Sequence, residues 1–148
     1  GRCKMNLKFI RVISELDKDI AYIQAIHRLP QISRFIGISD NYFAYVIENS
    51  NVYFYKVFSD DILVGTAHLE ICDSTLYMGI VVVPQYQNKG IGTNILRKIQ
   101  GGSLPITFDR IEVSIDENNT ASKRLFEKMG FVFVSKEDEL ENYLYIAK

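Results

Sequence analysis

The sequence is poor in several features that would each place it in a particular class. It has two cysteines, Cys3 and Cys72, in 148 residues. That is too few for a disulfide framework, and no Cys-x-x-Cys or His-x-x-x-His spacing occurs, so no metal site is expected. A reducing cytoplasm is the compartment this cysteine usage fits. No apolar run approaches the roughly 20 residues needed to cross a bilayer. The first residues, Gly1-Arg2-Cys3-Lys4-Met5, lead straight into an alternating segment without the apolar stretch of a signal peptide. Met5 is a candidate natural start, which would make residues 1–4 an added leader. Surplus charge is also missing. The 17 Lys and Arg face 18 Asp and Glu, for a net charge of -1, whereas nucleic-acid phosphates call for an excess of cations. What is present is an ordinary apolar fraction, 47%, which argues against disorder. The length suits one domain over residues 1–148, and such a chain buries roughly 70% of its unfolded surface without a staple. No repeat, linker or low-complexity tract interrupts it.

Hydrophobic periodicity divides the chain into alternating elements. Leu7–Val12 alternates as a strand. Ser14 and Asp17 make a capping-box-like pair, and Ile20, Ile23 and Ile26 recur near helical spacing, predicting a helix to about His27 that Pro30 ends. Residues 31–48 are ambiguous, with short helices expected around Gly37-Ile38-Ser39-Asp40. Three strands joined by tight turns follow, at Val52–Phe58, Ile62–Ile71 and Leu76–Val83, the last closed by Pro84; they read as an antiparallel meander. A helix over about Gly90–Gln100 stops at Gly101-Gly102-Ser103. Ile111–Ile115 is a strand, Asn119 an N-cap for a helix through Met129, and Phe131–Val134 and Tyr143–Ala147 are strands joined by an acidic stretch read as a solvated hairpin.

The chemically informative stretch is Val81-Val82-Val83-Pro84-Gln85-Tyr86-Gln87-Asn88-Lys89-Gly90-Ile91-Gly92. A strand runs through a glycine-bearing turn into a helix whose first N–H groups have no intrahelical partner. The helix dipole adds roughly half a positive charge there, which makes the turn an anion site. Gly90 and Gly92 let a pyrophosphate approach the backbone, and Lys89 adds a mobile cation. A plain strand–turn–helix connection would use the glycines too. A dinucleotide loop fits less well: Ile95 occupies the third glycine position, and a meander rather than a parallel βαβ unit precedes the turn. The Lys-Ser/Thr ending of a P-loop is missing.

Gln87-Asn88-Lys89-Gly90-Ile91-Gly92 resembles the Gln/Arg-x-x-Gly-x-Gly/Ala acyl-CoA signature of the GNAT superfamily of N-acetyltransferases, and Val82-Val83-Pro84 stands where that family has a Val-x-Pro strand end. Asn119–Phe131 is similar to the family's Asn-x-x-Ala/Ser-x-x-Leu-Tyr-Glu-Lys-x-Gly-Phe helix. The resemblance implies an α+β single-domain fold, a mixed, mostly antiparallel sheet of six to seven strands flanked by about four helices. It implies acetyl-CoA as co-substrate, with no metal. The backbone of Val82 and Val83 would bond the pantetheine arm, Gln87, Asn88, Lys89, Gly90, Ile91, Gly92 and Thr93 would hold the pyrophosphate, and Asn119 would lie near the thiol end. Phe126 departs from the family, standing where many members carry a Tyr thought to protonate the departing thiolate. Phe has no proton to give, although such an acid typically contributes about 10²–10⁴-fold. A thiol of pKa near 8.5 leaves as thiolate at neutrality for roughly 2 kcal/mol, so the acid is helpful rather than required. Phe126 is then a wall of the thioester pocket, and Tyr77 and Tyr143 are alternative donors.

An acceptor amine with a pKa near 10.4 needs about 4.6 kcal/mol to lose its proton at pH 7, so a base, acting directly or through water, would help. Strand alternation puts Val64, Thr66, His68 and Glu70 on one face, and Glu112 with Ser114 on one face of the later strand. Glu70 is the first candidate base, then His68 and Glu112; each could instead be an ordinary solvated sheet residue. His27 has no partner at ligand spacing and reads as a packed or surface residue. Cys72 as an acetyl-carrying nucleophile runs against the family's direct transfer. The expected reaction is direct attack of a primary amine on the thioester in a ternary complex, with the oxyanion held by a backbone N–H near Val82. The alternatives are a non-catalytic acyl-CoA-binding or regulatory domain, to which Phe126 gives weight, and a nucleotide-binding fold. The acceptor stays open among aminoglycoside, polyamine, amino acid and protein N-terminus, with neither nucleic acid nor membrane as partner and a monomer or homodimer as the assembly.

Overall fold

Seven strands of the chain build one mixed sheet, in the order β1-β2-β3-β4-β5-β7-β6. In sequence these are β1 (Leu7–Arg11), β2 (Val52–Ser59), β3 (Ile62–Cys72), β4 (Thr75–Val82), β5 (Arg110–Asp116), β6 (Val132–Glu137) and β7 (Leu140–Ile146). The helices are α1 (Ile20–Arg28), α2 (Pro30–Ser33), α3 (Tyr42–Glu48), α4 (Ile91–Gln100) and α5 (Thr120–Lys128). The computed structural model describes residues 5–147; the expectation about residues 1–4 falls outside them. The meander is present, and Asp60 and Asp61, both at positive φ, form the tight turn between β2 and β3.

The sheet has helices on both faces, as its strand pattern requires. On one face Ile95, Leu96 and Ile99 of α4 and Phe126 of α5 bury against Ala67, Leu69, Leu76 and Ile111. On the other, Ile23, Phe43 and Val46 of α1 and α3 bury against Val52, Phe54 and Val81. β4 and β5 pair in parallel only where Thr75–Tyr77 meets Arg110–Glu112. Beyond that they part, and the site lies in the gap.

The structure redraws four local expectations. Ser14 and Asp17 do not cap α1, which starts at Ile20 behind Asp19 with no side-chain cap. Ser14 Oγ accepts from the Leu16 N–H and Asp17 Oδ1 from the Asp19 N–H. Both aspartates instead reach Lys56 on β2, a cation only 6% exposed, at 2.9 and 2.8 Å. A buried ammonium needs these partners more than a surface helix needs its cap. Pro30 closes α1 but also opens α2 from its first position, where a missing N–H costs nothing. Residues 37–40 are not helical, and α3 starts at Tyr42. The acidic hairpin is strand almost to its tip: Glu141 pairs in register with Lys136 and lies 3.4 Å from Lys123, and Asn142 donates to Ser135 and Glu137.

Candidate functional site

Two cavities flank β4. The larger, about 490 Å³, occupies the gap beside β4, between the N-terminus of α4 and the start of α5. Gly90, with φ +82°, turns the chain into α4 through a left-handed conformation that favours glycine. The first backbone bond of the helix runs from the Asn94 N–H to Gly90 O, and no side chain caps this end. The amides of Ile91, Gly92 and Thr93 are therefore left for a ligand, with the helix dipole behind them. A Cβ on Gly92 would sit 3.1 Å from Leu125 Cδ2 and 3.7 Å from Val82 Cγ2, so this glycine keeps the narrow part of the cleft open. Gln87 Nε2 donates to Val82 O across 3.1 Å and Asn94 Nδ2 to Gly90 O across 2.7 Å, which stiffens the turn.

Most of the residues singled out for the cofactor meet at this cleft: Val82, Gln87, Asn88, Gly90, Ile91, Gly92, Thr93, Asn119 and Phe126 line it. Val83 and Lys89 do not. The Val83 N–H is committed to Val64 O at 2.8 Å and its side chain to the α1–α3 core; Lys89 is exposed. Because Val83 points its backbone at β3, alternation turns the backbone groups of Val82 and Ile80 toward the open side. Asn119 caps α5, its Oδ1 accepting from the Ser122 N–H at 3.3 Å, while lining the cleft. Phe126 is 4% exposed and packs edge-to-face on Phe131. Two cations escaped sequence reading: Lys128, whose Nζ lies 3.4 Å from Thr93 Oγ1, and Arg34, which lines the cleft from beyond α2. The fit to a pantetheine pyrophosphate rests on the free amides, the left-handed Gly90 and the close approach at Gly92.

The smaller cavity, about 330 Å³, opens between the α1–α3 layer and the sheet, and shares Ile36 and Val81 with the larger. His68 and Glu70 both line it; Glu112 does not. Glu112 lies opposite Tyr77 on β4 and Leu144 on β7. His68 sits opposite Gly79, whose missing side chain leaves open space. Its Nε2 is 3.3 Å from Glu70 Oε1, its Nδ1 meets the Tyr42 hydroxyl, and the Tyr45 hydroxyl donates to Glu70 Oε1 at 2.8 Å. Tyr42 and Tyr45 went unread because their chemistry depends on a strand some 25 residues away; their i, i+3 spacing on α3 was the available signal.

The electrostatics order this network. Burial, aided by the charge of Glu70, pushes the Tyr42 phenol far above its usual value, so it stays a donor. The hydrogen bond to Glu70 raises Tyr45. Burial lowers His68 below 6.5 despite the opposing pull of Glu70, so the ring is neutral at pH 7. A neutral ring that accepts at Nδ1 from Tyr42 carries its proton on Nε2 and donates to Glu70. Both imidazole nitrogens are then engaged, and Glu70 is the group with an acceptor to spare. Of the alternative acids, Tyr77 lines the smaller cavity. Tyr143 lines neither cavity: it is 3% exposed, bonded to Glu141 at 2.9 Å, and burial pushes it up to about 12.

No helix among the described residues is long and apolar enough to cross a membrane. No curated protein matches the sequence. Solved structures do. A domain from Methanocaldococcus jannaschii superposes with a TM-score of 0.82 at 18% identity, covering 97% of this chain and 99% of that one. The spermidine N-acetyltransferase of Vibrio cholerae, solved with CoA and spermine, gives 0.80 at 14% identity, with 95% of each chain covered. The N-acetyltransferase PseH of Campylobacter jejuni, solved with acetyl coenzyme A, gives 0.76 at 14% identity, covering 97% of this chain and all 100% of that one. At such identities the likeness shows the fold. The model of the Acetyltransferase (GNAT) family matches residues 20–131, well over half of the sequence, and the chain belongs to that family.

Proposed function

We propose that the chain transfers an acetyl group from acetyl-CoA to a primary amine by direct attack in a ternary complex. One observation carries this reading. A cleft with free helix-N-terminal amides adjoins a second pocket that holds a carboxylate network, and Val81 and Ile36 line both. Acetyl-CoA supplies the activated acyl group: the amine nitrogen bonds the acetyl carbon, the carbon–sulfur bond breaks, and CoA leaves as the thiol, with one proton passing from the amine to the sulfur or to solvent. The residues of the chain do the rest. The α4 amides and Lys128 hold phosphate charge. The open-side N–H groups of Ile80 and Val82 are donors for the acetyl oxygen. Glu70 draws the ammonium in and takes its proton, directly or through water, and neutral His68 adds no repelling charge. Holding both reactants at the junction supplies most of the acceleration. We place the reaction in the cytoplasm, on a monomer or homodimer.

Phe126 favours a second reading, a non-catalytic acyl-CoA-binding domain, because it gives the cleft a ring without a proton donor. Acetyl-CoA with a broad amine panel and a thiol probe separates the two. Amine-dependent thiol release supports transfer; tight CoA binding with no release on any amine supports the binding module.

A further inference from the structure

The smaller pocket is built around a missing side chain. Gly79 lies inside β4, and an interior glycine weakens a strand that any side chain able to pack would strengthen. Packing does not demand it here. A Cβ added at Gly79 would meet no atom within 4 Å, and the residue has no positive φ that would call for glycine. Gly65 on β3 is the contrast. Its Cβ would stand 2.7 Å from Val81 O and 3.3 Å from Ile95 Cδ1, so close packing alone requires that glycine. The space over Gly79 belongs to the pocket.

Its position along β4 gives that space a use. Val81, two residues on, lines both cavities. Tyr77, two residues back, stands opposite Glu70, and Gly79 itself stands opposite His68, whose Nε2 is 3.3 Å from the Glu70 carboxylate. Strand residues two apart share a face and lie about 6.6 Å apart, at about 3.3 Å per residue. An amine that touches the Glu70 carboxylate and reaches an acetyl group beside Val81 therefore lies across Gly79. A side chain at this position would stand in its path. The surroundings narrow the class further. Glu70 is the one charged side chain lining the pocket, and neither lysine nor arginine lines it among the described residues. The walls are largely apolar and aromatic, with Ile36, Ile38, Tyr42, Phe54, Tyr77 and Met78. A carboxylate brought in would lose its water and meet Glu70 instead of a cation. At about 30 Å³ per water, 330 Å³ is about eleven waters' worth, room for a ring and a short chain.

We propose that Gly79 is a specificity-determining residue, keeping the pocket open to primary amines that carry an aromatic or bulky apolar body and no carboxylate. This rests on the transfer reading above and leaves the chemistry of transfer unchanged. The test is initial rates with acetyl-CoA and three amines: ethylamine, phenethylamine and phenylalanine, the last differing from phenethylamine by its carboxylate. Phenethylamine is expected to exceed each of the others in kcat/KM by about tenfold or more. In Gly79→Val the ratio of kcat/KM for phenethylamine over ethylamine falls by about tenfold or more, and in Gly79→Ala by a smaller factor, about threefold. The open space lets either variant fold, and acetyl-CoA binding by calorimetry checks that each has. Should Gly79→Val fail that check, the fall in Gly79→Ala decides. Ethylamine or phenylalanine as the best acceptor, an unchanged ratio, or an equal loss on ethylamine and phenethylamine overturns the proposal and leaves acetyl transfer standing. Acetyl-CoA binding with no amine acetylated overturns the transfer reading as well.

Discussion

Replacing Glu70 with glutamine removes one negative charge and little else. Glutamine keeps an oxygen where Oε1 was, so Tyr45 can still donate across 2.8 Å and His68 across 3.3 Å. What disappears is the charge that would hold an ammonium and the base that would take its proton. A hydrogen bond to a charged group is worth about 1.5–3 kcal/mol, which corresponds to about 10- to 100-fold in affinity. The Glu70 side chain is 31% exposed, and solvent screening pulls the effect to the lower end of that range. The KM for the amine should therefore rise about tenfold at neutral pH, with the KM for acetyl-CoA unchanged. His68 should respond as well. Burial lowers its pKa, and the hydrogen bond and charge of Glu70 pull the other way. Without Glu70 the imidazole pKa drops further, which NMR titration reads directly. Steady-state kinetics across neutral pH supply the other half of the assay. An amine KM and a pH profile that both match the unaltered enzyme would remove Glu70 from the mechanism.

Three further outcomes follow from the same structure. His27 and His68 both lie below the ordinary 6.5 in the fold, so the unfolded chain takes up protons that the fold resists. Stability is then full above 6.5 and falls as the pH drops below it, by up to about 1.4 kcal/mol per pH unit per histidine until each folded pKa is reached; urea unfolding across that window checks it, and a flat curve contradicts it. Lys56→Met leaves Asp17 and Asp19 without their cation and should cost about 3–5 kcal/mol, or about 10 °C in melting temperature. The burial of Asp17 works to raise its pKa, but hydrogen bonds from Asp19 and Lys56 outweigh it and hold the carboxyl below 3.8. That contribution is present above 3.8 and lost as the pH falls through the folded pKa of Asp17, so the gap between Lys56→Met and the unaltered protein should narrow in strong acid. Gly90→Val forces a β-branched residue to φ +82°, a strain of about 1–3 kcal/mol at the turn. Calorimetry should show acetyl-CoA bound at least about tenfold more weakly, and unchanged affinity would refute the role given to this turn.

The two halves of the site differ in how far the sequence discloses them. The cleft is local: strand, turn and helix are consecutive, and the left-handed Gly90 and close-packed Gly92 are residue requirements visible in the chain itself. Even there, Val83 illustrates a limit. Its place beside the signature says nothing of which sheet edge its N–H serves, and that N–H is bonded to Val64. The smaller pocket is not local. It gathers His27 from α1, Tyr42 from α3 and His68 from β3, and only tertiary packing sets them together. Alternation puts His68 and Glu70 on one face, where the structure has them, but ranks Glu112 only behind Glu70 and beside His68, because periodicity does not tell where β4 and β5 part. Likewise Asp17 carries a helix-cap pattern until the buried Lys56 claims it.

The central claim is that the cleft and the pocket act together on one acetyl group. Mass spectrometry of a reaction containing the purified chain, acetyl-CoA and the amine panel tests it most directly, by counting acetylated amine against free CoA. The account predicts an N-acetylated product in one-to-one ratio with released CoA, lost when amine or protein is omitted and reduced in Glu70→Gln. CoA released without acetylated amine, or no turnover by a protein that binds acetyl-CoA, would contradict it.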